Sequence, residues 1–195
     1  MKKICFFNKP KSYIIVAVSG ILAGLLVAFF SRFPPNDLWA FALFSSNSLG
    51  FWVFSCSLIA LFSEKSHVAG INVAVYVFLM FYVTGIFKRL STVIKGYNNM
   101  AYFYQGFWQV LAYGLIPAAV CFALAFVLWF ARKEKPVFIM LRFIPAVCII
   151  AEAVWDWMNV AQRGQNLFMA LVVTLCAVIY LFIILESSEF GRKRT

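Results

Sequence analysis

Long apolar runs, separated by short segments that hold most of the charged residues, restrict the fold of this chain more than any other feature. The first run extends from Tyr13 to Phe30 without a charged side chain, which is long enough to cross a bilayer as a helix. Hydrophobic residues make up 64% of the chain and charged residues 12%, against about 45–50% and 25% in soluble domains. A soluble core of this size could not bury that excess, so we expect a polytopic integral membrane protein.

The positions of the runs predict an all-α bundle of six transmembrane helices, folded as a single domain over residues 1–195. The helices are expected at about 13–31, 38–62, 67–87, 107–131, 137–158 and 167–185. Because polar residues interrupt the second segment at Ser45–Ser48, this segment is either one long helix or a re-entrant piece followed by a helix from about Ser48. Residues 88–105 mix basic, amide and aromatic side chains, which predicts a segment lying along the membrane interface.

The net charge of +10 lies mainly beside the ends of the apolar runs. If both termini are cytoplasmic, the cytoplasmic side carries eleven basic residues, namely Lys2, Lys3, Lys9, Lys11, Lys65, Arg132, Lys133, Lys135, Arg192, Lys193 and Arg194. The outer side then carries five, namely Arg32, Lys88, Arg89, Lys95 and Arg163. This asymmetry favours cytoplasmic termini in a cell membrane. We expect the cytoplasmic cations to contact anionic lipid headgroups and not nucleic acid, because they flank membrane helices.

The fifth predicted helix carries the main candidate ligand-binding residues. Glu152, Asp156 and Asn159 are spaced by four and three residues, which places them on one helical face. A charge near the bilayer centre costs about 2.5–3.5 kcal/mol, so such groups usually face protein or water. We include Arg142, which lies on nearly the same side but about 21 Å away along the helix. In the other interpretation, Asp156 and Asn159 lie in the hydrated headgroup zone, and only Glu152 needs a buried partner.

Ser46 and Asn47, in the polar interruption of the second segment, complete the predicted ligand-binding set. Hydroxyl and amide groups inside an apolar segment can bind the polar groups of a ligand. They can equally hydrogen-bond a neighbouring helix or belong to a simple turn.

Small residues follow one another along the first predicted helix at Ala17, Gly20, Gly24 and Ala28. The last three recur every fourth residue, a spacing that lets another backbone approach closely. The pattern predicts packing against another helix of the same chain or docking to a membrane partner protein.

Signatures of enzymes, metal sites and cofactor sites are absent from the sequence. The five cysteines form no C-x-x-C pair, His67 is the single histidine, and no Gly-rich nucleotide-binding or metalloprotease motif occurs. Glu152 and Asp156 lie on one helix, whereas two catalytic carboxylates of an intramembrane protease usually come from different helices. We therefore expect no metal and no cofactor, and an enzyme acting on lipid is the least favoured class.

In its general layout the chain resembles the substrate-binding subunits of energy-coupling-factor vitamin transporters, which are small six-helix proteins with small residues on the first helix. The resemblance covers the layout and the ladder from Ala17 to Ala28, and includes no substrate motif. The sequence thus predicts a small-molecule binding or transport subunit with a polar site inside the membrane. The alternative is a non-catalytic accessory or assembly subunit that packs against a larger membrane complex.

Overall fold

Six α-helices form the fold in a computed structural model that describes residues 10–31, 49–96, 99–133 and 136–192. The helices are α1 (Pro10–Phe30), α2 (Leu49–Phe62), α3 (Ser66–Ile94), α4 (Met100–Trp129), α5 (Pro136–Arg163) and α6 (Leu167–Arg192). A 3-10 turn, Phe130–Arg132, follows α4, and the described residues contain no strand. The predicted all-α membrane bundle is confirmed.

Five of these helices, all except α2, are long and apolar enough to cross a membrane. The described part of α2 has 14 residues, or about 21 Å at 1.5 Å per residue, which is less than the hydrocarbon thickness of about 30 Å. It covers the end of the segment predicted at 38–62, whose first part lies outside the described residues. The long apolar helices support a multi-pass membrane protein.

The segment predicted along the interface forms the facing ends of two helices and the turn between them. Residues 88–94 continue α3, which has 29 residues and is about 43 Å long. Gly96 turns the chain with a φ of +75°, a conformation that glycine adopts without steric cost. Asn99 then caps α4, because its side-chain oxygen accepts a hydrogen bond from the backbone N–H of Tyr102 at 3.1 Å.

The short helix α2 lies between two groups of longer helices. On one side α3 packs along α1 and α4, and on the other α5 packs along α6. α2 contacts α3, α4, α5 and α6. Its Ile59 and Ala60 belong to the buried cluster of the first group, whereas Leu61 belongs to the cluster formed with α5 and α6. Neighbouring residues of one helix therefore join the two halves of the bundle.

Large apolar side chains cover the outside of the longer helices. Ile14 on α1, Trp108 on α4, Val147 on α5 and Phe182 on α6 are 64–72% exposed. Soluble proteins rarely expose apolar surface on this scale. The outer surface is therefore one that lipid tails would cover.

Candidate ligand-binding site on the fifth helix

The inner face of α5 positions the candidate site. Its buried residues include Arg142, Ala146, Ile149, Ala153 and Asp156, which are spaced alternately by four and three residues, as expected for one side of a helix. The three apolar members pack in the cluster that α5 forms with α2 and α6. Asp156 lies on the same side of α5 as these three apolar residues, so its carboxyl group is buried inside the bundle.

Glu152 caps the described beginning of α2. The backbone N–H of Gly50 donates a hydrogen bond to Oε2 of Glu152. The first N–H groups of a helix have no partner within the helix, and its N-terminus carries a partial positive charge. The Glu152 carboxylate, on α5, accepts one of these N–H groups and places a negative charge at this end of α2. This contact gives Glu152 a structural partner inside the bundle.

The close approach at this contact requires glycine. A Cβ atom at Gly50 would lie 2.8 Å from Cγ1 of Val173 and 3.3 Å from Oε2 of Glu152. The first distance is shorter than real Cβ contacts, so a larger residue would push α2 away from α5 and α6. The backbone N–H of Gly50 thus provides Glu152 with a buried partner, whereas the polar interruption at Ser45–Ser48 lies outside the described residues.

Asp156 lies one turn beyond Glu152 and is 7% exposed. Its Oδ2 atom is buried and accepts no hydrogen bond from any described residue. Burying a charged oxygen without a partner is costly, and such groups are normally paired, protonated or bound to a ligand. Asp156 is therefore the candidate residue with an acceptor available for a ligand.

The polar stripe becomes more exposed toward the end of α5. Asn159 is half-buried and Arg163 is exposed, so the stripe leads from Asp156 to the helix end about 10 Å away. Beside it, Nε1 of Trp157 donates to Oγ1 of Thr174 on α6 at 3.0 Å. This hydrogen bond ties α5 to α6 at the depth of Asp156.

Arg142 lies near the opposite end of α5, and the structure does not bring it to the other candidates. Its Nε atom donates to the carbonyl oxygen of Ala131 at 2.5 Å, and its own carbonyl oxygen accepts from Tyr180 Oη at 3.3 Å. These contacts connect α5 to the 3-10 turn after α4 and to α6. The other two predicted ligand-binding residues, Ser46 and Asn47, lie outside the described residues.

The structure shows a polar cluster that the sequence analysis missed, at the end of α2. The carbonyl oxygen of Ser63 accepts hydrogen bonds from Nε1 of Trp129, at 3.0 Å, and from Nη1 of Arg132. The Ser63 hydroxyl accepts from Nδ2 of Asn72 at 3.4 Å. Asn72 is fully buried, and its position inside an apolar run was the available signal. The cluster joins α2, α3 and α4 at one end of the bundle.

The small residues of α1 pack against α3. A Cβ atom at Gly20 would lie 2.8 Å from the carbonyl oxygen of Tyr76, and one at Gly24 would lie 2.7 Å from that of Met80. The Thr84 hydroxyl shares its proton between the carbonyl oxygens of Met80, at 2.8 Å, and Gly24, at 3.0 Å. Ala28, further along the ladder, is buried, and Ala17 is half-buried. This face of α1 is therefore covered by the chain itself.

The described cysteines and acids offer no metal site. No group of three or more His, Cys, Asp or Glu residues within the described ranges could hold a metal ion. Cys56 on α2 and Cys121 on α4 pack against the same buried cluster, although they are far apart in sequence.

Comparison of the chain with protein-family models, with curated proteins and with solved structures finds no match. The resemblance to vitamin-transporter subunits therefore remains one of general layout.

Proposed function

We propose that this protein is a small-molecule binding or transport subunit, and that Asp156 binds a cationic or hydrogen-bond-donating group of the ligand within the membrane. The observation that carries the proposal is the buried Oδ2 of Asp156, which accepts no hydrogen bond from the described residues. Ionisable residues inside transmembrane helices commonly mark substrate or ion pathways. A ligand that supplies a positive charge or a donor would complete this site.

The two carboxyl groups have different roles in this proposal. Glu152 lies one turn from Asp156 and is bound to the N-terminus of α2, so it holds α2 in place beside the site. Asp156 contacts the ligand. Asn159, half-buried one turn further along α5, is placed to contact a ligand that enters from this end of the helix. A bound cation would also reduce the repulsion between the two carboxylates.

The comparison of Asp156→Asn with the wild type tests the proposal. The substitution keeps the size of the side chain and removes its charge. Hydrogen bonds to charged groups contribute about 1.5–3 kcal/mol, which corresponds to about 10- to 100-fold weaker binding. Glu186→Gln is the matched control, because Glu186 is an exposed carboxyl near the C-terminal end of α6.

The measurement is mass spectrometry of small molecules that remain bound after gentle purification from the native membrane. We expect the same polar metabolite in the wild type and in Glu186→Gln, and its loss from Asp156→Asn at an equal amount of folded protein. An equal amount of metabolite in all three proteins would contradict the role of Asp156. A wild type that retains only lipid would contradict the proposed function.

A further inference from the structure

A groove lies between the end of α1 and the last turns of α3. It has a volume of about 480 Å³ and is lined by Ala28, Ser31, Phe87, Lys88, Ser91, Thr92 and Lys95. We call it the α1–α3 groove. It lies on different helices from Asp156, so it is distinct from the candidate site on α5.

The length of α3 sets the depth of this groove in the membrane. Lys88 lies about 33 Å along the helix from Ser66 at 1.5 Å per residue, whereas the hydrocarbon core is about 30 Å thick. With the first turn of α3 at one boundary of the core, residues 88–95 reach the headgroup layer at the other. The groove therefore opens where lipid phosphates lie.

The donors of the groove lie on one face of α3. Lys88, Ser91 and Lys95 are spaced by three and four residues, so they follow one another on the same side of the helix. Both lysines are exposed, and neither forms an ion pair with a carboxylate of the described residues. The Cα atoms of the two lysines are about 10 Å apart along the helix axis. Two flexible lysine side chains can close this distance around one anion.

The neighbouring Arg89 has a different role. Its guanidinium donates to Oε1 of Gln109 at 2.9 Å and to the carbonyl oxygen of Tyr102 at 3.4 Å, and it lies 4.8 Å from the centre of the Tyr102 ring. Arg89 thus holds α4 against α3. Among the described residues, the two lysines have no comparable contact.

The other hydroxyls of the groove do not add donors. Thr92 Oγ1 donates to the carbonyl oxygen of Arg89 at 2.7 Å, and Ser31 Oγ donates to that of Ala28 at 2.8 Å. Each hydroxyl has one proton, which these bonds already use. A ligand of the groove must therefore be recognised mainly by its negative charge.

We propose that the α1–α3 groove binds the phosphate of an anionic membrane lipid, with Lys88 and Lys95 donating to its oxygens. Three features support this occupant: the depth of the groove, its two lysines, which form no ion pair with the described residues, and the lipid-facing apolar surface of α1 beside it. The proposal does not depend on the proposed function of Asp156.

Native mass spectrometry with dioleoylphosphatidylglycerol added to the full-length protein in detergent tests this proposal. Each lysine near a lipid surface contributes roughly fivefold to binding, so Lys88→Ala with Lys95→Ala should bind the lipid about thirtyfold more weakly. The matched control is Lys65→Ala with Lys133→Ala, which removes two exposed charges at the other membrane face. Because Lys65 and Lys133 are themselves expected to contact headgroups at that face, we expect the control to weaken binding far less than the groove variant does, and an equal loss in both would overturn the proposal. Equal binding by the groove variant and the wild type would overturn the proposal.

Three further comparisons identify the ligand chemistry and guard against loss of folding. Dioleoylglycerol, which has no phosphate, should bind the wild type and the groove variant equally and weakly, and binding as tight as that of the phospholipid would overturn the proposal. Millimolar inorganic phosphate should leave the bound lipid in place, and its displacement would instead indicate a soluble anion as the ligand. Lys88→Arg with Lys95→Arg keeps both charges and should restore binding, and its failure to do so would also contradict the proposal.

Discussion

Replacing Glu152 with glutamine should weaken the attachment of α2 while leaving the ligand site chemically intact. In the wild type the Glu152 carboxylate accepts the N–H of Gly50, at the positive end of a helix. A hydrogen bond to a charged group contributes about 1.5–3 kcal/mol, and one between neutral groups about 0.5–1.5 kcal/mol. Glutamine keeps an acceptor oxygen and loses the charge, so we expect a loss of about 1–1.5 kcal/mol in the free energy of unfolding.

Glu152→Ala should be more harmful than Glu152→Gln. Alanine removes the acceptor and leaves the Gly50 N–H buried without its partner, which costs about 1–3 kcal/mol, and it also removes the packing of the side chain. The assay is reversible unfolding in mixed micelles with increasing dodecyl sulfate, followed by circular dichroism. Glu186→Gln again serves as the control, because it changes an exposed carboxyl outside this contact.

The binding assay separates the two roles given to Glu152 and Asp156. Folded Glu152→Gln should retain the co-purifying metabolite at nearly the wild-type amount, whereas Asp156→Asn should lose it. The reasoning would be refuted if Glu152→Gln unfolded as the wild type does and yet lost the ligand. That result would place Glu152 in direct contact with the ligand, as expected if Glu152 and Asp156 both belong to the ligand-binding residues predicted from the sequence.

Two other predictions test the packing of the bundle. Gly24→Ala places a Cβ atom 2.7 Å from the carbonyl oxygen of Met80, so α1 must move away from α3. We expect the free energy of unfolding to fall by about 1–3 kcal/mol in the same assay. Unchanged stability would show that α1 and α3 are not in close contact. Cys56 and Cys121, which pack against the same buried cluster, should form a disulfide when copper phenanthroline is added to the protein in detergent. Their linked peptides should appear in a non-reducing digest, and the exposed Cys148 should remain unlinked to either. A link of Cys56 to Cys148 instead would contradict the placement of α2 beside α4.

The fold class follows from the sequence because it depends on local properties. A long apolar run without charges requires lipid, and in lipid the backbone must satisfy its own hydrogen bonds, which a helix does within one segment. The periodicity of α5 is equally local. It places Glu152, Asp156 and Asn159 on one side of a helix, wherever that helix lies in the bundle.

The roles of these residues depend on which helices meet, and periodicity contains no information about that. Glu152 and Asp156 look equivalent in the sequence, yet only Glu152 lies beside the N-terminus of α2. In the same way, the ladder of α1 predicts a close neighbour without saying whether it belongs to the same chain, and the structure places α3 there.

The amino-acid sequence by itself determined that this protein is a helical membrane bundle and which polar side chains share the face of α5. Only the tertiary structure decided that the Gly50 N–H donates to Glu152 and that Oδ2 of Asp156 accepts no hydrogen bond from the described residues. It also decided that Lys88 and Lys95 border a groove beside α1. The physical reason is that burial and helix formation act over one or two turns of chain. Contacts between side chains far apart in sequence arise from the packing of whole helices, which depends on every surface that they bury together.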